Sequence, residues 1–455
     1  MANLATHSLS FTKQDIKQLW IDLAFLGDDI SSQMDVRTDV KGTLTLNRIS
    51  RPTNVTRASA VGFTAVGTIT LTNTSVTVDA LKAEVEQNGE AFIASIYESL
   101  LAKGYNLDDV AKMSNSMYDK IIIPIVADAI RQDKVRQMWF ADTAGKTMTG
   151  TVPASYPTSV DDVNNNFTNY LGLQTRIMND TLSTTIPAAQ RVDVTNAMAT
   201  DGVARVYAIT LSGTSAGTII VTINGVAYSE SFASNVATTV TNWHTSHAAT
   251  IAALYSREQK LTVANDLSAK LTFTATESGA SFLAAATNAG TNGTWTENTD
   301  TAATRQGNLA SGAATTIFNS MLGAIPTDAL DFEEQMKFYV TRTMWRNYLA
   351  EMKTLSNSDS AYMTTQEGVK VKQYEGHEII VRPDWDSNIA ALKNDVYRHR
   401  ALLTTPKNLV LVTDGAMDDK AVETWYNQDD EMHRYRVKYR INTIYKHADL
   451  MIVAF

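Results

Sequence analysis

His244 and His247 stand three residues apart, and two imidazoles at that spacing on one helix face can share a metal ion. A site of that kind needs further ligands, and no nearby carboxylate or third donor is evident in the sequence. His247 falls instead on an apolar stripe with Val240 and Ile251, so both rings read as structural and no metal is expected. Asp418-Asp419 and Asp429-Asp430-Glu431 could bind a hard cation or act as paired catalytic carboxylates, but no calcium-loop spacing surrounds them. A solvated surface, or salt bridges to a neighbour's arginines, is the expectation there. Arg48, Arg51 and Arg57 cluster on a long hairpin with a basic tip and little core of its own. No aromatic residues are interleaved with them, which argues against stacking on nucleic acid. A solvated loop is one reading; the favoured one is an inter-subunit clamp onto carboxylates of an adjacent copy, because an exposed hairpin has no other source of stability. Gly-x-Ser-x-Gly, Walker A, Gly-x-Gly-x-x-Gly and His-Glu-x-x-His patterns are all absent, and the chain has no cysteine. Neither an enzyme nor a cofactor is expected. Trp139, Trp243, Trp345 and Trp385 are too scattered for a sugar-binding row and read as core or interface anchors.

The elements that must position these residues alternate between two periods. Residues 10–26 have the spacing of a short amphipathic helix, with Ile16, Leu19, Trp20 and Leu23 on one face. Residues 40–49 and 68–78 alternate as two strands of a long hairpin with a basic tip, and the alternation slips near Asn73-Thr74, which predicts a bulge. Residues 81–142 read as helix, first around Phe92, Ile96, Tyr97 and Leu100, then over Tyr118–Asp142. A loop at 145–160 precedes helical periodicity over Val160–Leu182. The block 200–306 reads as a small α+β domain. Asn224-Gly225 is the preferred type I′ turn pair between two strands, and an amphipathic helix follows with Val236, Val240, Trp243, His247, Ile251 and Leu254. Further strands fall at 261–263 and 271–275, and the glycines 290, 293, 307 and 312 mark an exit linker. Residues 337–341 form a strand leading into a helix at 344–352.

The bulk numbers set the class. A chain of 455 residues exceeds one ordinary core, so two or three domains are expected. With 44% hydrophobic and 19% charged residues it is a globular chain, not a disordered one. A net charge of −9 argues against tight, charge-driven binding to nucleic acid. No signal-peptide core and no membrane-length apolar stretch is present, so a soluble protein made in the cytoplasm is expected. The Asn-x-Ser/Thr matches at Asn54, Asn73, Asn166, Asn179 and Asn292 follow from a Thr-rich composition.

The C-terminal part runs Tyr374-Glu-Gly-His-Glu-Ile-Ile-Val-Arg-Pro-Asp-Trp-Asp386, then Asn408-Leu-Val-Leu-Val-Thr-Asp414, Arg434-Tyr-Arg-Val-Lys-Tyr-Arg-Ile441 and Asp449-Leu-Met-Ile-Val-Ala-Phe455. This succession, behind an arm, a long hairpin and a long helix, resembles the HK97-type major capsid proteins of tailed bacteriophages. The fragments Tyr374-Glu-Gly-His and Arg382-Pro-Asp-Trp are most similar to those of crAss-like phages. The resemblance covers all but the 200–306 block. It implies an α+β, HK97-type fold: N-terminal arm 1–35, extended-loop hairpin (E-loop) 36–79 and peripheral domain with spine helix 80–160. Axial-domain parts at 161–199 and 307–405 would flank an inserted α+β domain at 200–306, and peripheral strands would fill 406–455. It also implies self-assembly into hexamers and pentamers of an icosahedral head that encloses double-stranded DNA without sequence-specific binding. Implied partners are scaffold, portal and decoration proteins; the implied location is the virion, after assembly in the bacterial cytoplasm. Two other classes stay open: an encapsulin-type compartment shell, and a phage tail or adhesion protein.

Overall fold

The computed structural model describes residues 8–9, 33–49, 56, 69, 71–88, 129–130, 132–143, 169–194, 197–213, 217–254, 260–280, 282–289, 293–355, 361–364, 370–393, 396–414, 422–427 and 432–455. They divide into two compact units. One comprises Met1–Met138 with Leu409–Lys446, the other Trp139–Asn408 with His447–Phe455. The expected helices at 10–26 and around Phe92–Leu100, and both acidic clusters, lie outside the described residues.

The first unit is organised by one strand, Met432–Tyr445. In it Tyr435, Val437, Tyr439 and Ile441 point to the buried face, and Arg434, Arg436, Lys438 and Arg440 to the other, as period-two alternation requires. It pairs antiparallel with Val422–Asn427 on one edge and Leu409–Thr413 on the other, and Asp79–Asn88 adds a ten-residue antiparallel ladder. Leu409–Thr413 is buried at every position, four of its five residues are apolar, and it takes Asp35–Arg37 as a parallel neighbour. Asp79–Asn88 corrects the sequence reading. Its Ala, Leu, Lys, Glu and Gln residues favour helix, but intrinsic propensity is worth only tenths of a kcal/mol per residue. A continuous ladder with Glu84 and Glu86 opposite Arg436 and Arg434 outweighs it.

The hairpin is built of Thr43–Ile49 and Leu71–Thr77, in register from Thr43↔Thr77 to Ile49↔Leu71 without a break. The expected bulge at Asn73-Thr74 is therefore absent. The alternation slips because the apolar residues change faces along a regular ladder. Near the base, Val76 and Val78 join Val410, Val412 and Ile444 in a core on which Val40, Leu44 and Leu46 pack. Further out, Leu71 lies on the opposite face. Of the expected helix 118–142, residues 129–130 and 132–140 are described and helical.

One lysine there gives a pH prediction. Lys134 is buried, its Nζ 4.3 Å from the centre of the Tyr439 ring, and burial pushes its ammonium down to about 7. The unfolded chain keeps an ordinary lysine, so between pH 7 and about 10.5 the folded state has released a proton that the unfolded state holds, and stability rises with pH. Below about 7 both states are protonated and the rise ends. Tyr439 is itself pushed up by burial and stays neutral throughout this window. Urea melts between pH 7 and about 9.5 should show a gain of about 3 kcal/mol. Lys134→Met should flatten that slope, and an unchanged slope would refute the assignment.

The second unit holds a seven-stranded mixed sheet, in the order Tyr362–Thr364, Lys370–Tyr374, His377–Arg382, Lys337–Thr341, Ala401–Thr404, Ile452–Ala454 and Arg191–Val192. Helices Ala313–Gly323 and Arg342–Thr354 share its core, where Phe318, Phe338, Tyr348 and Tyr374 stack edge-on or tilted at 5.1–6.2 Å. The Asp386 carboxylate accepts from the Arg342 and Thr343 N–H groups, satisfying two donors that the start of a helix leaves without partners. Of the periodicity over 160–182, Leu173–Leu182 is a described helix. It starts at Gly172, where a Cβ would lie 2.6–2.7 Å from backbone atoms of Trp139, Phe140 and Ala141, so only glycine allows that approach.

Two small sheets and a helix occupy 206–301. The sheets order Leu261–Asn265, Lys270–Ala275, Val206–Gly213, Gly293–Thr301 and Ala284–Ala289, Thr218–Ile223, Val226–Ser231. Asn224 and Gly225 both have positive φ, as a type I′ turn demands, and the Asn224 carboxamide oxygen accepts from Leu283 N–H at 2.7 Å. Helix Val236–Leu254 buries Val240, Trp243 and Ile251, with Trp243 edge-on to Phe273 at 5.8 Å. The expected linker is partly wrong: Gly293–Thr301 is a strand paired with Val206–Gly213. Its polar, Thr-rich sequence hides it because it is an edge strand with little buried surface.

Candidate assembly surface

Arg48 lies in the hairpin strand Thr43–Ile49, opposite Thr72, and is half-buried. Arg51 and Arg57 lie outside the described residues, so only one of the three sequence-nominated arginines has a position. The structure adds two apolar residues to this surface. Ile69 is 66% exposed and Leu71 63% exposed, two large apolar side chains at the outer end of the hairpin. The signal was available: the slip in alternation is the place where the apolar residues leave the face that joins the core. Val40 through Val78 also carries Lys41, Arg48, Arg51 and Arg57 and no acidic residue. The hairpin is thus basic as well as apolar.

The long sheet carries its own charged face. Arg436 Nε donates to Glu84 at 2.8 Å, Arg434 stands 3.5 Å from Glu86, and Lys82 donates to Glu84 at 2.7 Å. The hydrogen bonds from Lys82 and Arg436 hold the Glu84 carboxyl below the usual range. Charges on that face largely answer one another within the sheet, and such exposed pairs contribute little each.

The histidines resolve as backbone-bound rings. His244 Nε2 lies 3.0 Å from the Val263 carbonyl and His247 Nε2 3.0 Å from the Ser229 carbonyl. A carbonyl only accepts, so each Nε2 carries the proton and has no lone pair for a metal. Folding does bring the Glu230 carboxylate to 4.0 Å from His247, which the sequence reading did not foresee. Among the described residues no three His, Asp or Glu side chains gather as a metal cluster. Of the tryptophans, Trp139, Trp243 and Trp385 are fully buried and Trp345 is 6% exposed, all in cores. No helix among the described residues is long and apolar enough to cross a membrane.

No protein-family model and no curated protein matches this chain. Solved structures do align along most of its length. The procapsid of satellite phage P4 including the size determination (Sid) protein aligns at 8% identity and a TM-score of 0.37, over 97% of this chain and 98% of that one. The holo-SrpI encapsulin complex from Synechococcus elongatus PCC 7942 aligns at 7% identity and 0.38, over 99% and 91%. The capsid of the cyanophage P-SCSP1u aligns at 11% identity and 0.37, over 93% and 86%. At these TM-scores the likenesses decide nothing by themselves, and the functional reading rests on the geometry of the chain.

Proposed function

We propose that this chain is a shell subunit: a major capsid protein of the HK97 type that assembles as hexamers and pentamers into an icosahedral phage head around double-stranded DNA. The observation that carries the reading is the hairpin. It is anchored at its base by Val76 and Val78, and it presents Ile69 and Leu71 to solvent beyond that anchor. A two-stranded ribbon is marginal in water, and exposed large apolar residues on it gain by being covered. A neighbouring copy supplies that cover in a shell, where the hairpin would act as the extended loop that laps over the next subunit. The residue patterns of the C-terminal strands support the same family. A net charge of −9 suits a wall that encloses DNA without binding it tightly. The module at 206–301 would stand on the outer surface and bridge capsomers, and decoration, scaffold and portal proteins are the further partners.

The test is cryo-electron microscopy of the purified protein after expression with its neighbouring genes. Closed icosahedral shells are expected. Shells filled with one protein cargo would replace the reading with an encapsulin-type compartment. Trimers, tubes or monomers alone would overturn it.

A further inference from the structure

The segment Thr327–Gln335 presents the complement of the hairpin. Its sequence, Thr-Asp-Ala-Leu-Asp-Phe-Glu-Glu-Gln, carries Asp328, Asp331, Glu333 and Glu334 and no cation. Leu330 is 47% exposed and Phe332 44% exposed, so two large apolar side chains lie among the carboxylates. The segment is held in place from within, because Ala329 and the following Met336 are buried in the core of the seven-stranded sheet. Its backbone is tied down by Ala329 N–H donating to the Pro326 carbonyl at 2.8 Å and Met336 N–H to Glu333 at 2.9 Å. It is an ordered apolar step with an acidic rim. The hairpin has an apolar edge and a basic composition: four cations and no anion between Val40 and Val78, against four anions and no cation between Thr327 and Gln335.

We infer that the hairpin of one copy docks on Thr327–Gln335 of a second copy, with Ile69 and Leu71 covering Leu330 and Phe332 and the net positive charge of the hairpin segment complementing the acidic rim. The inference deepens the shell reading and rests on it. Apolar contact supplies the attraction, and opposite charge steers and registers it. The two surfaces are different patches of one chain, so the contact is heterologous and propagates head to tail, which closes into rings when the rotation between copies allows. A self-complementary twofold dimer would not follow from this pairing.

The chain has no cysteine, so single cysteines report contacts between copies without background. Chains carrying Leu71→Cys are mixed with chains carrying Phe332→Cys under assembly conditions and oxidised by molecular oxygen. The linked species are then resolved on non-reducing gels, with one chain tagged to shift its mass. The mixed dimer should form roughly tenfold faster than the dimer of Leu71→Cys with Leu267→Cys, because docking raises the local concentration of the two thiols. Leu267 is a fair control, being 77% exposed and remote in sequence from both patches. Adding Asp331→Lys and Glu334→Lys to the Phe332→Cys chain should slow linkage about tenfold, since like charges then face each other. Equal rates for Phe332→Cys and the Leu267→Cys control overturn the docking. Imaging the same samples separates the two claims. Shells without the linkage refute this receptor and leave the shell reading intact. The linkage in tubes or open filaments refutes the closed shell and keeps the docking, and neither linkage nor shells refutes both.

Discussion

Trp139→Ala should destabilise the second unit by about 4 kcal/mol, the middle of the range for truncating a buried aromatic side chain. Trp139 is fully buried, edge-on to Trp385 at 5.0 Å and 69° and tilted against Tyr339 at 6.4 Å. The Arg382 guanidinium stands 5.6 Å from its ring centre. Truncation removes ring contacts on several sides at once, and the sheet strand and helix that carry Tyr339 and Trp385 cannot collapse into the gap without moving backbone. The indole N–H makes no hydrogen bond among the described residues. Trp139→Phe therefore loses volume and part of the cation–π contact but no polar partner, and should cost about 1–2 kcal/mol. Guanidinium unfolding followed by near-ultraviolet circular dichroism measures both. A loss below about 1 kcal/mol for alanine would show that the site relaxes, contrary to the rigid packing described.

Breaking the buried pair Lys393–Asp142 should cost a similar amount. Lys393 Nζ donates to Asp142 Oδ2 at 2.5 Å, with side-chain exposures of 2% and 12%. Two charges so far from water are held there by each other, and the net value of such a pair over an apolar replacement is small. Removing one partner is another matter. Asp142→Leu leaves an ammonium in a dry site and should cost about 3–5 kcal/mol. Combining Asp142→Leu with Lys393→Met removes both charges and should recover most of that loss. Urea denaturation of the single and double variants forms a cycle, and simple additivity of the two losses would contradict the pairing. Because the two residues are 251 positions apart, the pair also reports whether the second unit has closed as one body.

Several features of the chain are legible in its sequence, and each for a local reason. Asn224-Gly225 dictates its own turn, because two positive φ values in succession exclude most other residues. The helix Val236–Leu254 and the strand Met432–Tyr445 carry unambiguous periods, since each buries a single face. The hairpin strands were equally visible, though Arg48 lies within a strand and not at the tip. What misled was sequence whose partner is distant. Asp79–Asn88 looks helical in isolation and becomes a strand because Met432–Ile441 offers it ten ladder partners. Gly293–Thr301 looks like a linker and becomes an edge strand because Val206–Gly213 lies beside it.

The candidate surface divides in the same way. Composition alone determined that the hairpin is basic, that the chain lacks cysteine, and that no familiar catalytic motif is present. Only the tertiary structure decided that Ile69, Leu71, Leu330 and Phe332 stay outside while residues of the same type pack within. An apolar side chain is buried or exposed according to which remote segment arrives to cover it, and sequence period cannot report that arrival. Charge and turn geometry are written in the neighbouring residues; burial is settled by strands and helices hundreds of positions away.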